Sequence, residues 1–198
     1  MKVRKRVLFP AAFLLLVGGG IAGTFVRGSW ADGVVKTPTT HKDGLIRQLL
    51  LKEDGRKVVR GALVVDATID AVWRTITDYD HFAEFMPNVA SLHSAIDPDG
   101  RIRLTGIIST IAADFPVDLH VKHDPATFTT SWDEGTGAFT VNKGHWMLEK
   151  HGDAHTLVVY ELDIEVKGYP TPVVRALVLH RLKKTLRAVE KRVSQTKR

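Results

Sequence analysis

The chain has 198 residues, of which 44% are hydrophobic, and this suits one globular domain with an appendage. It contains no cysteine, which excludes disulfides, thiolate metal sites and a cysteine nucleophile. The formal net charge of +6 arises at the two ends, because residues 1–31 hold five basic residues and no acidic ones, and residues 172–198 hold nine basic residues against Glu190. The middle is net acidic and has no basic patch interleaved with aromatic residues, so nucleic-acid binding is not indicated.

The N-terminus has the pattern of a targeting or anchoring segment. Residues 1–6 are basic, and residues 7–26 form an uncharged run. Its apolar core, residues 8–17, fits a signal peptide, whereas the full run fits a transmembrane anchor. The basic residues before the run place the domain on the outer side of the cytoplasmic membrane. We therefore expect residues 1–31 to be a cleaved signal or a membrane anchor, and residues 32–44 to be a polar linker.

Strand-like segments dominate the middle of the chain. The first two are joined by Asp54-Gly55, which is a strong hairpin signal. In the last segment Glu161, Asp163 and Glu165 alternate with apolar residues, so we expect their face of the strand to meet solvent. The predicted strands span residues 45–52, 56–65, 89–96, 101–111, 116–123, 127–134, 142–150 and 155–167.

Two short helices are predicted after the second strand. The apolar residues of the first helix recur at helical spacing: Ile69, Val72, Trp73 and Ile76. We expect Asp78 and Asp80 to cap the second helix. Pro87 bars its continuation.

A long helix is predicted from about residue 172 to residue 195. Leu177 and Leu179 lie beside its apolar stripe near the start, and basic residues fill the remaining faces. A stripe of this length must be buried, and a curved sheet is the available partner. The stripe consists of Val174, Val178, Leu182, Leu186, Val189 and Val193.

These elements carry a family resemblance. The run Val-Asp-Ala-x-x-x-x-Val-Trp (65–73), followed by Thr-Asp-Tyr-Asp (77–80) and Phe-Met-Pro (85–87), resembles the START-like (SRPBCC) superfamily. The most similar branch is the polyketide cyclase/dehydrase and lipid-transport proteins, which include coenzyme Q-binding proteins. The resemblance implies an α+β helix-grip fold over residues 45–198. In that fold a bent antiparallel sheet of about seven strands surrounds the long C-terminal helix, and two short helices follow the first strand region.

A helix laid across a bent sheet leaves a ligand cavity if apolar side chains line the gap. Each candidate lining residue has ordinary core packing as its alternative, and Trp73 is assigned to the core. The short helices and the loop at residues 135–137 are the segments expected to gate the cavity. The candidate ligand-binding residues are Phe85, Met86, Phe115, Leu119, Trp132, His145, Trp146, Tyr160 and Leu177.

We expect no metal site and no cofactor. His120 and His123 point to opposite faces of one strand, and His151 and His155 flank a turn. No H-E-x-x-H, P-loop, dinucleotide or Gly-x-Ser-x-Gly motif is present. His145 is the histidine for which a buried partner is most worth seeking.

Three functions remain open. The leading hypothesis is a non-enzymatic module, exported or membrane-tethered, that binds or transports a lipid, quinone or similar hydrophobic molecule. One alternative is a cyclase or dehydratase acting on an aromatic or polyketide-like substrate, for which His145 and Tyr160 are the candidate titratable groups. Another is a protein-interaction module at the cell envelope without a small ligand, which a collapsed cavity would favour. The sequence leaves the ligand's identity and the oligomeric state open.

Overall fold

The computed structural model describes residues 44–52, 54–110, 113–133 and 137–196. The predicted signal or anchor at 1–31, the linker apart from Gly44, and residues 135–136 of the predicted gating loop lie outside the described residues. Within the described ranges, no helix combines the length and the apolar character that crossing a membrane requires.

The described residues form eight strands and three α-helices in the expected order. A 3₁₀ turn, Tyr79–His81, joins the first two helices. The strands are β1 (Ile46–Leu51), β2 (Lys57–Val65), β3 (Val89–Ile96), β4 (Ile102–Ser109), β5 (Asp114–Asp124), β6 (Thr129–Asp133), β7 (Phe139–Lys150) and β8 (Thr156–Val166). The helices are α1 (Ile69–Thr77), α2 (Phe82–Phe85) and α3 (Thr171–Thr196).

The eight strands form one antiparallel sheet in the order β1-β2-β8-β7-β6-β5-β4-β3. The sheet bends around α3, and α1 and α2 pack against β7, β3 and α3. The helix-grip fold is therefore confirmed, with eight strands instead of about seven. The short β6 pairs with both β5 and β7, so it is a full member of the sheet.

Most strand bounds agree with the sequence analysis to within two residues. β7 is the exception, because it begins at Phe139 instead of at residue 142. Its register against β8 shifts between Phe139 and Val141. Such an irregularity interrupts the alternation of side chains by which a strand is predicted. The predicted hairpin at Gly55 is confirmed, since Gly55 has φ +80° and its N–H donates to the Lys52 carbonyl at 2.9 Å.

The helix α3 carries the predicted apolar stripe, and its packing changes along its length. Leu182, Leu186, Val189 and Val193 are at most 2% exposed. Gly61 of β2 lies beneath Leu182 and Leu186, and a Cβ at Gly61 would come within 2.5 Å of Leu182 Cδ2. The missing side chain therefore lets the helix approach the sheet closely.

The short helices also differ in part from expectation. Trp73 packs edge-on against Phe128 at 5.7 Å between ring centroids, which fits the predicted core role. Asp78 and Asp80 do not cap a helix through their side chains. Asp78 Oδ1 lies 2.7 Å from His81 Nδ1, and Asp80 accepts hydrogen bonds from the Ser94 N–H and hydroxyl at 2.8 Å. Asp80 therefore ties the 3₁₀ turn to β3.

The outer face of β8 corrects another prediction. Glu161 is 3% exposed and Asp163 is 4% exposed, so these two carboxylates do not meet solvent. Lys52 lies 3.0 Å from Glu161, and Arg175 of α3 lies 2.9 Å from Asp163. Because β8 is a central strand, cations from its neighbours reach both carboxylates and balance the cost of their burial.

Candidate functional site

A cavity of about 400 Å³ lies between the concave face of the sheet and the N-terminal half of α3. Its wall is mostly apolar and comes from β3 to β8, from the 3₁₀ turn, α2 and the segment that follows α2, and from α3. The α3 side chains that line it are Val174, Leu177, Val178, Arg181, Leu182 and Thr185. A concave, apolar, largely preformed space of this size is typical of a small-molecule site.

Three strands and one glycine build the aromatic wall of the cavity. Trp146 and Tyr160 are direct cross-strand partners on β7 and β8, with ring centroids 4.4 Å apart. Trp132 of β6 faces Gly144, where a Cβ would come within 2.4 Å of the indole ring. Glycine at this position therefore lets Trp132 lie over β7. The Trp132 Nε1–H donates to Asn142 Oδ1 at 3.0 Å, which holds the ring in place.

The hydroxyl groups of the cavity are held in their neutral form. Burial raises the pKa of Tyr160 well above its usual value, and within the described residues its hydroxyl has no hydrogen-bond partner. Tyr79 Oη lies 2.8 Å from His123 Nε2 and 3.0 Å from Thr130 Oγ1, and burial raises the pKa of Tyr79 to about 12. Both phenols therefore act as neutral hydrogen-bonding groups at physiological pH.

A tight turn forms the edge of the cavity after α2. Pro87 and Asn88 are its central residues, and the Val89 N–H points at the Met86 carbonyl at 3.4 Å. Asn88 has φ +69°, a left-handed conformation that the third residue of a type II turn requires and that asparagine tolerates better than most residues. The Asn88 carbonyl accepts a hydrogen bond from the Ser109 N–H at 2.7 Å, which ties the turn to the end of β4.

The turn brings Asn88 to a cation on α3. Arg181 Nη1 donates to Asn88 Oδ1 at 3.0 Å, and both residues line the cavity. Of the described lining residues, Arg181 alone carries a formal charge. The sequence analysis assigned the basic residues of α3 to its other faces and so missed Arg181. The signal was present, because Arg181 lies seven residues after Val174 and three after Val178, both on the apolar stripe.

Seven of the nine predicted lining residues do line the cavity. Leu177 marks its opening, since it is also 58% exposed. Phe85 does not line it, because its ring packs against Phe82 and lies 5.4 Å from the Arg192 guanidinium. His145 lies on the opposite, outer face of the sheet. The seven are Met86, Phe115, Leu119, Trp132, Trp146, Tyr160 and Leu177.

His145 does have a buried partner, as the sequence analysis suggested. Its Nε2 lies 3.7 Å from Glu161 Oε2, and burial lowers the pKa of His145 despite that carboxylate. Burial by itself would raise the pKa of Glu161, but Arg60 and Lys52 outweigh it and lower that pKa. The Arg60 guanidinium also hydrogen-bonds directly to the Glu161 carboxylate.

His145, Glu161 and Lys52 line an outer groove of about 1170 Å³. Its principal charges are paired with one another, as in the pairs Lys52–Glu161, Arg175–Asp163 and Lys143–Asp133. An apolar ligand would have to displace water from these charges without replacing their hydration. The inner cavity is therefore the candidate site. In the part of the chain that the structure describes, no group of three or more histidine, aspartate or glutamate residues is arranged to hold a metal ion.

The sequence matches a family model over residues 65–190, and that family is described as polyketide cyclase / dehydrase and lipid transport. This span includes the short helices, the six strands β3 to β8, the last residue of β2 and most of α3. No curated protein matches the chain.

Solved structures share the fold at low sequence identity. A START superfamily protein from Mycobacterium smegmatis is 23% identical with a TM-score of 0.61, covering 70% of this chain and 98% of its own. A STAR-related lipid transfer protein from Xanthomonas axonopodis is 16% identical with a TM-score of 0.65, covering 80% and 98%. The Zhui aromatase/cyclase from Streptomyces sp. R1128 is 16% identical with a TM-score of 0.64, covering 71% and 95%. At these identities the similarity shows the fold alone.

Proposed function

The chain belongs to the polyketide cyclase / dehydrase and lipid transport family, and on this premise we propose that it binds a hydrophobic ligand in the cavity beneath α3 without transforming it. The ligand is a lipid, a quinone or a similar molecule. The observation that carries the proposal is the cavity itself, about 400 Å³ of mostly apolar space held open between the sheet and α3. Moving apolar ligand surface from water into such a space releases about 25 cal/mol per Å².

The chemistry of the wall favours binding over catalysis. Among the described lining residues there is no histidine and no carboxylate to serve as a general acid or base. Of the two candidates for the cyclase or dehydratase alternative, His145 lies outside the cavity. Tyr160 lines the cavity, but its raised pKa makes it a weak acid. The fold shared with an aromatase/cyclase does not by itself transfer that activity.

The open cavity also favours a ligand over the third hypothesis, an envelope interaction module. A module that only presented its surface to a protein would gain stability from a filled core, because an unfilled apolar space forfeits packing contacts. Here Trp146, Tyr160 and Leu162 line an open space that separates part of the sheet from α3.

The proposal includes a location on the outer side of the cytoplasmic membrane. Its support is the basic start and uncharged run of residues 1–31. Expression of the full chain, cell fractionation and mass measurement of the mature protein test this part. A periplasmic or membrane-bound product supports it, with the mass separating a cleaved signal from an anchor. A full-length product in the soluble cytoplasmic fraction contradicts it.

Ligand binding is tested on the purified full-length protein with native mass spectrometry and with Nile red, a neutral apolar dye. We expect either a co-purifying apolar molecule or saturable dye binding. Val178→Phe extends a side chain into the cavity and should weaken dye binding. Val173→Phe is the matched control, because Val173 lies on the same helix, is 52% exposed and does not line the cavity.

The comparison of the two variants decides the site. Loss of dye binding in Val178→Phe with retention in Val173→Phe places the ligand beneath α3. Equal dye binding in both variants places it elsewhere and removes the cavity from the proposal. A folded parent protein that holds no co-purifying molecule and binds no dye contradicts ligand binding itself.

A further inference from the structure

The cavity carries one feature that a purely apolar ligand does not require. Arg181 is a formally charged side chain in a wall that is otherwise neutral. Resting on the proposed function, we infer that the ligand is amphipathic and carries one anionic head group, a carboxylate or a phosphate, which Arg181 binds. The hydrocarbon part then occupies the aromatic part of the cavity, beside Trp146 and Tyr160.

The charge of Arg181 is not balanced within the described structure. Other arginines of α3 pair with carboxylates, as Arg187 does with Glu190 and Arg192 with Glu84. Arg181 instead donates to the neutral amide oxygen of Asn88, and no carboxylate of the described residues pairs with it. A partly buried cation is stabilised much more by an anion than by an amide.

The geometry leaves the guanidinium available to a ligand. Its Nη1–H is used by Asn88, while an arginine side chain has five N–H donors in a planar fork. That fork matches the oxygens of a carboxylate or a phosphate in a bidentate arrangement. Asn88 is held in its left-handed turn by Pro87 and by the Ser109 hydrogen bond, so Arg181 is positioned before any ligand arrives.

The position of Arg181 also sets the orientation of the ligand. It lies one helical turn beyond Leu177, the exposed residue at the opening, and it hydrogen-bonds to the turn at the cavity edge. An anion at Arg181 is therefore near the edge, and its tail extends inward between β5, β7 and β8. Thr185, the next lining residue on the same helix face, offers a hydroxyl beside the same head group.

Three probes with the same chain test the inference: decanoate, decyl phosphate and decanol. Their affinities are measured by displacement of Nile red from the full-length protein, at a pH well above the pKa of the carboxylic acid. We expect at least one of the two anions to bind about tenfold more tightly than decanol, because a hydrogen bond to a charged group is worth more than one to a neutral group. The ratio of decanoate to decyl phosphate identifies which anion the site prefers.

Variants at Arg181 assign the preference to that residue. Arg181→Gln should abolish the preference for the anion, measured as the ratio of the anion's affinity to that of decanol in the same variant. Arg181→Lys should keep part of it, because the charge remains and the fork is lost. Lys184→Gln is the matched control. It removes one charge from an exposed position of the same helix that does not line the cavity.

The outcomes separate this inference from the proposed function. Equal binding of decanol and both anions by the parent protein leaves the cavity intact and overturns the role of Arg181. An anion preference that Lys184→Gln reduces as much as Arg181→Gln also overturns it, because the effect is then general charge. If Arg181→Gln does not fold, the parent protein and Arg181→Lys decide. Failure of all three probes and of Nile red contradicts the proposed function itself.

Discussion

The two halves of α3 have the same kind of sequence and different packing. In the C-terminal half, from Leu182 onward, the stripe residues are almost fully buried against β2 and the short helices. In the N-terminal half, the stripe residues Val174 and Val178 line a cavity, and Leu177 beside them is 58% exposed. An apolar stripe therefore indicates which side of a helix faces the protein, but it does not tell whether that side meets a packed core or an empty space.

The difference lies in what opposes each half. Gly61 has no side chain, so Leu182 and Leu186 reach the backbone of β2. The N-terminal half faces Trp146 and Tyr160, whose rings contact each other at a tilt and line the cavity beneath the helix. The C-terminal half is thus held by close apolar contact with the sheet, whereas the N-terminal half also makes polar contacts at the edges of the cavity, among them Arg175–Asp163 and Arg181–Asn88.

The largest effect is expected at the packed half. Leu182→Ala should lower the free energy of unfolding by about 2–5 kcal/mol, because it leaves a hole where the helix contacts Gly61. Leu177→Ala is the matched change in the other half and should cost less than about 0.5 kcal/mol, because Leu177 is already largely exposed. Denaturant unfolding of both variants measures the contrast. Similar losses for the two leucines would mean that the halves do not differ.

A smaller effect is expected at the ion pair that holds the N-terminal half. Arg175→Met keeps the apolar part of the side chain and removes the partner of the buried Asp163, which retains Arg56 at 3.3 Å. The loss should be about 1–3 kcal/mol in the free energy of unfolding. Arg103→Met is the control, because the Arg103–Asp118 pair is exposed and should contribute at most about 1 kcal/mol. If both arginines gave the same small loss, Asp163 would not depend on α3.

The sequence alone predicted only part of this contrast between the two halves of α3. The α3 stripe, the Gly55 hairpin and the alternation along β8 were predictable, because each depends on residues that are near one another in the chain. The burial of Glu161 and Asp163 was not, because their cations come from the β1–β2 turn, β2 and α3, and only the tertiary fold brings those segments together. Local alternation alone predicted solvent there, and that prediction was wrong.

The candidate site divides in the same way. Aromatic residues on predicted strands identified most of the wall, since side chains of one strand face share a surface. The prediction for His145 was wrong because His145 immediately precedes Trp146 on β7, and neighbouring residues on a strand point to opposite faces. The pairing of Arg181 with Asn88 joins residues 93 positions apart, and no local pattern contains it.

The smallest expected change in stability is at the opening of the cavity, and it is the sharpest test of the comparison. Leu177→Trp adds bulk where the N-terminal half faces empty space. In a filled core such an enlargement typically costs about 1–3 kcal/mol, whereas here the free energy of unfolding should change by less than about 0.5 kcal/mol. The larger ring can turn into the cavity, so binding of Nile red should be lost.

The control for this change is Val173→Trp, which places the same side chain on an exposed part of the same half that does not line the cavity. A thermal melt and a dye titration on one sample give both quantities for each variant. If both variants are about as stable as the parent and only Leu177→Trp loses dye binding, α3 covers a cavity that a ligand can occupy. A large fall in stability in Leu177→Trp means that the space beneath the N-terminal half is as tightly packed as that beneath Leu182, and the two halves are then alike.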